Sequence, residues 1–102
     1  MNKKSVKHIV MWDVRGETDE EKEHLARTVK EKFEALAQEI PGLLSIEVGI
    51  DFSKESYSHD VVLYSVFSST QALEDYQQHP AHLRVREELA GVRITRHQVD
   101  FI

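Results

Sequence analysis

Two short segments of the chain are apolar on both sides of an extended backbone, and this pattern restricts the fold more than any other feature. The first, VKHIVMWDV over residues 6–14, carries Val10 on one side and Ile9 and Met11 on the other. The second, HDVVLYSVF over residues 59–67, is also apolar on both sides. Both are short and rich in β-branched and aromatic residues, which predicts β-strands. A strand with two apolar faces has to be covered on both of them.

A helix and an alternating strand separate these two segments. Thr18 followed by Glu21 forms a capping box, so we expect a helix to begin there and to end at the proline–glycine pair further on. The apolar residues of this helix form one stripe at helical spacing: Leu25, Val29, Phe33, Leu36 and Ile40. Residues 44–52 then alternate, with Leu44 and Phe52 among the apolar positions. This alternation predicts a half-buried strand near a sheet edge.

Two short helices are expected after the second two-faced strand. The first begins at Ser68 or Ser69 and ends at Gln78. The residue before a proline avoids helical geometry, so His79 should break the helix. Pro80 suits the first position of the next helix, which we expect to continue to about residue 90 and to stop at a glycine.

The last strand is expected over residues 92–102, interrupted by the polar residues 96–98. The order β-α-β-β-α-α-β predicts one α+β domain over residues 1–102, with a ferredoxin-like, four-stranded antiparallel sheet and both helical segments on one face. Ile9 and Met11 then face away from the helices. If ~400 Å² of apolar surface stays exposed in each subunit, burying it at about 25 cal/mol/Å² would contribute on the order of 10 kcal/mol, before association costs are subtracted. We therefore expect an obligate homodimer, forming a dimeric α+β barrel.

The composition excludes several classes of function. A formal charge of -5 argues against nucleic acid and anionic membranes as partners, because both need a basic face. The chain has no cysteine, which excludes disulfides, thiolate metal sites and cysteine nucleophiles. No apolar run approaches the roughly 18 residues of a membrane span, and no signal-like segment is present. A cytoplasmic protein is the expectation.

Four stretches of the sequence together resemble one known family. They are KHIVMWDVR near the start, IPGLLSIEVG after the first helix, YSHDVV opening the third strand, and LEDYQQHPAHLRV. The chain is similar over essentially its whole length to the stress-responsive A/B barrel (Dabb) family of dimeric α+β barrels, which includes stress-associated proteins and olivetolic-acid-cyclase-type polyketide cyclases. The resemblance implies that His82 is a general base, that Tyr76 is its partner, and that His8 and His59 are pocket histidines.

The residues themselves allow two interpretations of His82. In a helix that begins at Pro80, His82 shares a face with Val85 and Leu89. Its ring should then be desolvated, which lowers the pKa and leaves a neutral base near pH 7. In the other interpretation its nitrogens satisfy backbone groups around the helix break. We expect His79, just outside the helix, to cap it.

The other two histidines begin different strands. His8 shares a face with Val10 and Trp12, and His59 shares a face with Val61. If these strands are antiparallel neighbours, the two histidines lie about 20 Å apart and cannot bind one metal ion. We expect no metal and no cofactor. The expected ligand pocket, small and apolar between helices and sheet, is lined by Val10, Trp12, His59, Val61 and Val85.

The favoured function is the handling of a small molecule. It is a cofactor-free cyclisation or other proton transfer on a hydrophobic, ketide-like compound, carried by Tyr76 and His82 with His8 assisting. One alternative is a non-enzymatic stress-response or ligand-binding dimer, in which the same residues hold the fold. The other is a cofactor-free monooxygenase of the dimeric-barrel type.

Overall fold

The fold is a four-stranded antiparallel sheet with helices on one face. The computed structural model describes residues 4–102. The elements, in chain order, are β1 (Val6–Val14), α1 (Asp19–Glu34), β2 (Leu43–Ile50), β3 (Val61–Phe67), α2 (Thr70–Gln78), α3 (Pro80–Glu88) and β4 (Arg93–Phe101). A short 3-10 turn, Ala35–Gln38, extends α1. The strand order is β2-β3-β1-β4, and every neighbouring pair is antiparallel. This is the ferredoxin-like α+β fold that the sequence predicts.

The helix ends follow the predicted capping residues. The hydroxyl of Thr18 accepts a hydrogen bond from the Glu21 amide at 3.1 Å, and the Ser69 hydroxyl does the same for the Ala72 amide. His79 has extended backbone angles, φ -66° and ψ 135°, and it separates α2 from α3. Its Nδ1 accepts a hydrogen bond from the Ala81 amide at 3.0 Å. The predictions of the helix break and of the His79 cap are both confirmed.

The core lies between the helices and the inner face of the sheet. Alternate residues of β1 and β3 are buried on this side, as the two-faced pattern predicts. They are Val6, His8, Val10, Trp12, Val14, Val61, Leu63, Ser65 and Phe67. From α1, its extension and the turn after it, the buried residues Val29, Phe33, Leu36 and Ile40 pack against them. The predicted stripe of α1 is therefore the core face, although its first member, Leu25, is only partly buried.

The outer face of the sheet carries an apolar surface without a covering helix. Ile9 pairs with Tyr64 on one side and with Val99 on the other, and paired residues point to the same face. Tyr64, Val99 and Phe101 are exposed. Within residues 4–102 no helix is long and apolar enough to cross a membrane.

Two details of the predicted strands are wrong. The pairing of β2 with β3 shifts between Leu43 and Ser45, so Leu43 packs on the core and Leu44 is 62% exposed; Phe52, beyond the strand, is 93% exposed. An irregularity of this kind reverses the side to which the alternating residues point. The polar residues 96–98 do not interrupt β4, which pairs with β1 through all of them. Strand pairing uses backbone groups, and an edge strand over an open cleft needs no apolar side chains.

Candidate functional site

A cleft on the inner face brings together three of the residues predicted to act chemically. His8 from β1, Tyr76 from α2 and His82 from α3 line it together with side chains of β4. Its outer part has a volume of about 290 Å³, and a narrow inner part of about 10 Å³ reaches Trp12 and Phe33. The inner part has room for about one water molecule.

His82 is the most unusual group in the cleft. Pro80 begins α3 and His79 caps it, which places the imidazole of His82 against the ring of Tyr76 with 4.1 Å between ring centroids. Only 9% of His82 is exposed, and its Nδ1 is buried with no hydrogen-bond partner among the described residues. Burial lowers the pKa of His82 to about 4, with the nearby arginines acting in the same direction and the Gln77 backbone acting against them. The ring is therefore neutral at pH 7.

Tyr76 lies between His82 and the core. Its ring packs against Phe67 at 5.0 Å between centroids, and the residue is almost fully buried. Burial raises the pKa of the Tyr76 hydroxyl above its usual value, although nearby Arg96 and Arg93 oppose this. The phenol thus keeps its proton at neutral pH and serves as a hydrogen-bond donor.

His8 is oriented by a carboxylate from the neighbouring strand. The register of β1 and β4 places Asp100 directly opposite His8, and Nδ1 of His8 lies 2.5 Å from Oδ1 of Asp100. A carboxylate at Nδ1 holds the proton there and leaves the lone pair on Nε2. The His8 ring approaches Tyr76 edge-on, with 6.2 Å between centroids. Asp100 was not predicted as a site residue, and only the strand register could have revealed it.

Three arginines give the cleft a positive lining. Arg86 from α3 and Arg93 and Arg96 from β4 border it, and Gln98 completes the β4 side. The predicted small apolar pocket is therefore wrong for this cleft. The reason is that the inner side of β4 is made by residues of the polar stretch that the sequence pattern treats as an interruption.

Two of the predicted lining residues border the cleft, and three do not. Val10 and Trp12 line its inner part. Val61 and Val85 are buried in the core and line neither part of the cleft. His59 precedes β3 and turns to the outer face, where its ring stacks on His97 at 4.5 Å between centroids. His59 thus does not share the face of Val61.

The registers also bear on metal binding. His8 pairs with Ser65, and Trp12 pairs with Val61, so His8 and His59 belong to opposite ends of the central strand pair. The part of the chain that the structure describes contains no group of three or more His, Asp or Glu side chains arranged to hold a metal ion.

Comparisons with known proteins agree on one family and one fold. The family model of the stress responsive A/B barrel domain matches residues 6–102. A dimeric ferredoxin-like protein of unknown function from Bacteroides fragilis is 33% identical with a TM-score of 0.83, covering 95% of this chain and 94% of that one. Hydroxynitrile lyase from Passiflora edulis is 15% identical with a TM-score of 0.78, covering 96% of this chain and 92% of that one. No curated protein matches the sequence.

A cofactor-independent oxygenase, SnoaB from Streptomyces nogalater, is 16% identical with a TM-score of 0.71, covering 96% of this chain and 91% of that one. At such identities the lyase and the oxygenase share the fold with this chain, and nothing more follows from the likeness.

Proposed function

The chain belongs to the stress responsive A/B barrel domain family, and we propose that it transfers a proton to or from a small organic molecule bound in the inner-face cleft. His82 acts as the base, Tyr76 donates a hydrogen bond to the substrate, and His8 assists. The proposed step consists of proton transfers only, so it needs no redox cofactor.

The observation that carries this proposal is the unpartnered Nδ1 of His82. The buried nitrogens of a histidine with a purely structural role usually form hydrogen bonds. A buried nitrogen without a hydrogen bond costs about 1–3 kcal/mol of stability. Here the nitrogen is buried without a partner among residues 4–102, and the ring borders a cleft beside a protonated phenol. This arrangement favours a chemical role for His82 over a purely structural one.

Each residue then has a definite part in the step. Neutral His82 accepts a proton from an acidic C–H or O–H of the substrate, and negative charge develops on the substrate oxygen. Tyr76 keeps its own proton and donates a hydrogen bond to that oxygen. His8, held by Asp100, presents Nε2 as a second acceptor at the same cleft.

A narrower form of the proposal is ring closure within a ketide-like compound, which begins with such an abstraction. The charged lining favours a substrate with acidic or strongly polarised oxygen groups over a wholly hydrophobic one. We also propose that the protein acts in the cytoplasm as a homodimer. The dimer rests on the uncovered apolar outer face and on the dimeric relative that is 33% identical.

Exchange of activated C–H protons for deuterium tests the proposed step. A panel of small ketones and keto acids is incubated with the protein in D2O and followed by NMR. We expect exchange that falls roughly 100-fold or more in His82→Gln. His24→Gln is the matched control, because His24 is exposed on α1, away from the cleft. Undiminished exchange in His82→Gln would contradict the role of this base. A panel that binds without any exchange would indicate the ligand-binding alternative instead.

A further inference from the structure

We propose that the cleft selects a small organic anion and that Arg86, Arg93 and Arg96 bind its negatively charged oxygen group. This inference rests on the proposed function only in using the same cleft, and it names the class of compound that the cleft accepts.

The guanidinium of Arg93 is held firmly at the inner end of the cleft. It lies 4.8 Å from the ring centroid of Trp12 and 5.5 Å from that of Phe33. These two rings are themselves stacked, with 5.0 Å between their centroids. Cation–π contacts of this kind fix a guanidinium that is partly removed from water. The charge is therefore already in position before any ligand arrives.

The other two arginines border both parts of the cleft from opposite walls. Arg86 lies four residues after His82 on α3, and Arg96 projects from β4. Arg96 donates a hydrogen bond to the side-chain oxygen of Gln98, a neutral group. Three of the chain's six arginines thus meet at one cleft, in a protein whose net charge is -5.

These three charges lack the carboxylate partners that two of the chain's other arginines possess. Arg27 pairs with Glu23 at 2.7 Å, and Arg84 approaches Glu39 at 3.7 Å. Across residues 4–102, no carboxylate oxygen lies within 4.0 Å of a guanidinium of the three cleft arginines. Asp100, the carboxylate at this site, accepts hydrogen bonds from His8 and Gln98 instead.

Bringing like charges together without a counter-ion is unfavourable. Burial lowers the pKa of Arg93, and the charges of Arg96 and Arg86 lower it further, while Tyr76 opposes them. A bound anion would relieve this repulsion. Guanidinium groups hold carboxylate and phosphate oxygens through paired hydrogen bonds, so both chemistries fit. The volume of the outer part, about 290 Å³, is at the lower end of the range for small-molecule sites, which favours a small ligand.

An anion in the cleft would also change the base. The groups that face His82 are Tyr76 from α2, Arg86 from its own helix, Arg93 and Arg96 from β4, and the uncharged ring of Phe33 from α1. The arginines are the charged members of this set, and they disfavour the imidazolium. Burial, the largest cause of the low pKa of His82, remains, but neutralising the arginines raises this pKa and makes the ring a stronger base when the cleft is occupied.

Titration calorimetry on the full chain at low salt tests the selection. The probes are hexanoate, hexyl phosphate and the neutral, equally long hexanamide. We expect at least one anion to bind roughly tenfold or more tightly than the amide. Arg86→Gln and Arg96→Gln should each weaken that anion roughly fivefold or more. Arg84→Gln is the matched control, since Arg84 lies on the same helix and outside the cleft lining.

Three results would overturn the inference. They are equal affinity for the amide and the anions, no binding of either anion at millimolar concentration, or a loss in Arg84→Gln as large as in the cleft variants. Failure of the proposed function is distinguishable from these. An anion that binds through Arg86 and Arg96, in a protein that exchanges no proton, removes the catalytic role and leaves the inference standing. Proton exchange on neutral ketones, in a protein that binds neither anion, supports the catalytic role and overturns the inference.

Discussion

The protonation state of His82 links the cleft to the stability of the whole chain. An unfolded histidine titrates near 6.5, whereas burial and the nearby arginines lower the pKa of folded His82 to about 4. Between these two pKa values, His82 is protonated in the unfolded chain and neutral in the folded chain. Stability contributed by neutral His82 is thus complete above the unfolded pKa and is lost as the pH falls toward 4.

We therefore predict that acid destabilises the wild-type protein more than His82→Gln. From pH 7 to pH 4 the free energy of unfolding should fall on the order of 3 kcal/mol further in the wild type than in the variant. Urea unfolding at both pH values measures this difference. His24→Gln should follow the wild type, because His24 is exposed. Equal losses in the wild type and in His82→Gln would show that His82 is not held neutral by its surroundings.

At the scale of residues, the sequence predicted some members of the site, and others could be identified only in the structure. His82 and His8 could be placed on inward faces by local spacing, Tyr76 was implied by the family resemblance, and all three line the cleft. Asp100 and Arg93 are brought to the site only by the pairing of β1 with β4, which joins residues far apart in the sequence. In addition, the polar residues of an edge strand over an open cleft give the same sequence pattern as polar residues that interrupt a strand.

At the scale of elements, the junction between α2 and α3 decides where His82 lies. His79 ends one helix and caps the next, because its Nδ1 accepts a hydrogen bond from the Ala81 amide. The residue before proline could be identified locally, so this junction was predictable. The start of β2 could not be predicted. Its register with β3 is shifted, and the local alternation of residues in β2 carries no information about the partner strand.

Loss of the His79 cap should destabilise the protein. We predict that His79→Ala lowers the free energy of unfolding by about 1 kcal/mol, because the Ala81 amide loses its acceptor. His79→Asn should recover most of this loss, since asparagine is a good capping residue. Urea unfolding at pH 7 measures both variants. If His79→Asn were as unstable as His79→Ala, the hydrogen bond at the helix start would not be the source of the effect.

At the scale of the whole molecule, the uncovered outer face is the feature that calls for a partner. The helices cover the inner face of β1 and β3, while the outer face leaves Tyr64 43% and Val99 57% exposed on either side of Ile9. Exposed apolar side chains that adjoin across three strands form a continuous surface, which is typical of an interface. A second copy presents the same surface, so a symmetric pairing is the simplest cover.

Val99→Asp should separate the proposed dimer without unfolding the subunit. Val99 is exposed in the single chain, so the carboxylate stays hydrated in a monomer and becomes buried and unpaired only in the dimer. With two such groups per dimer, we expect the dissociation constant to rise about a thousandfold or more, measured by sedimentation equilibrium. Leu83→Asp is the matched control, because Leu83 is 44% exposed on α3, on the opposite side of the sheet. A dimer that survives Val99→Asp, or that is lost equally in Leu83→Asp, would place the interface elsewhere than on the outer face.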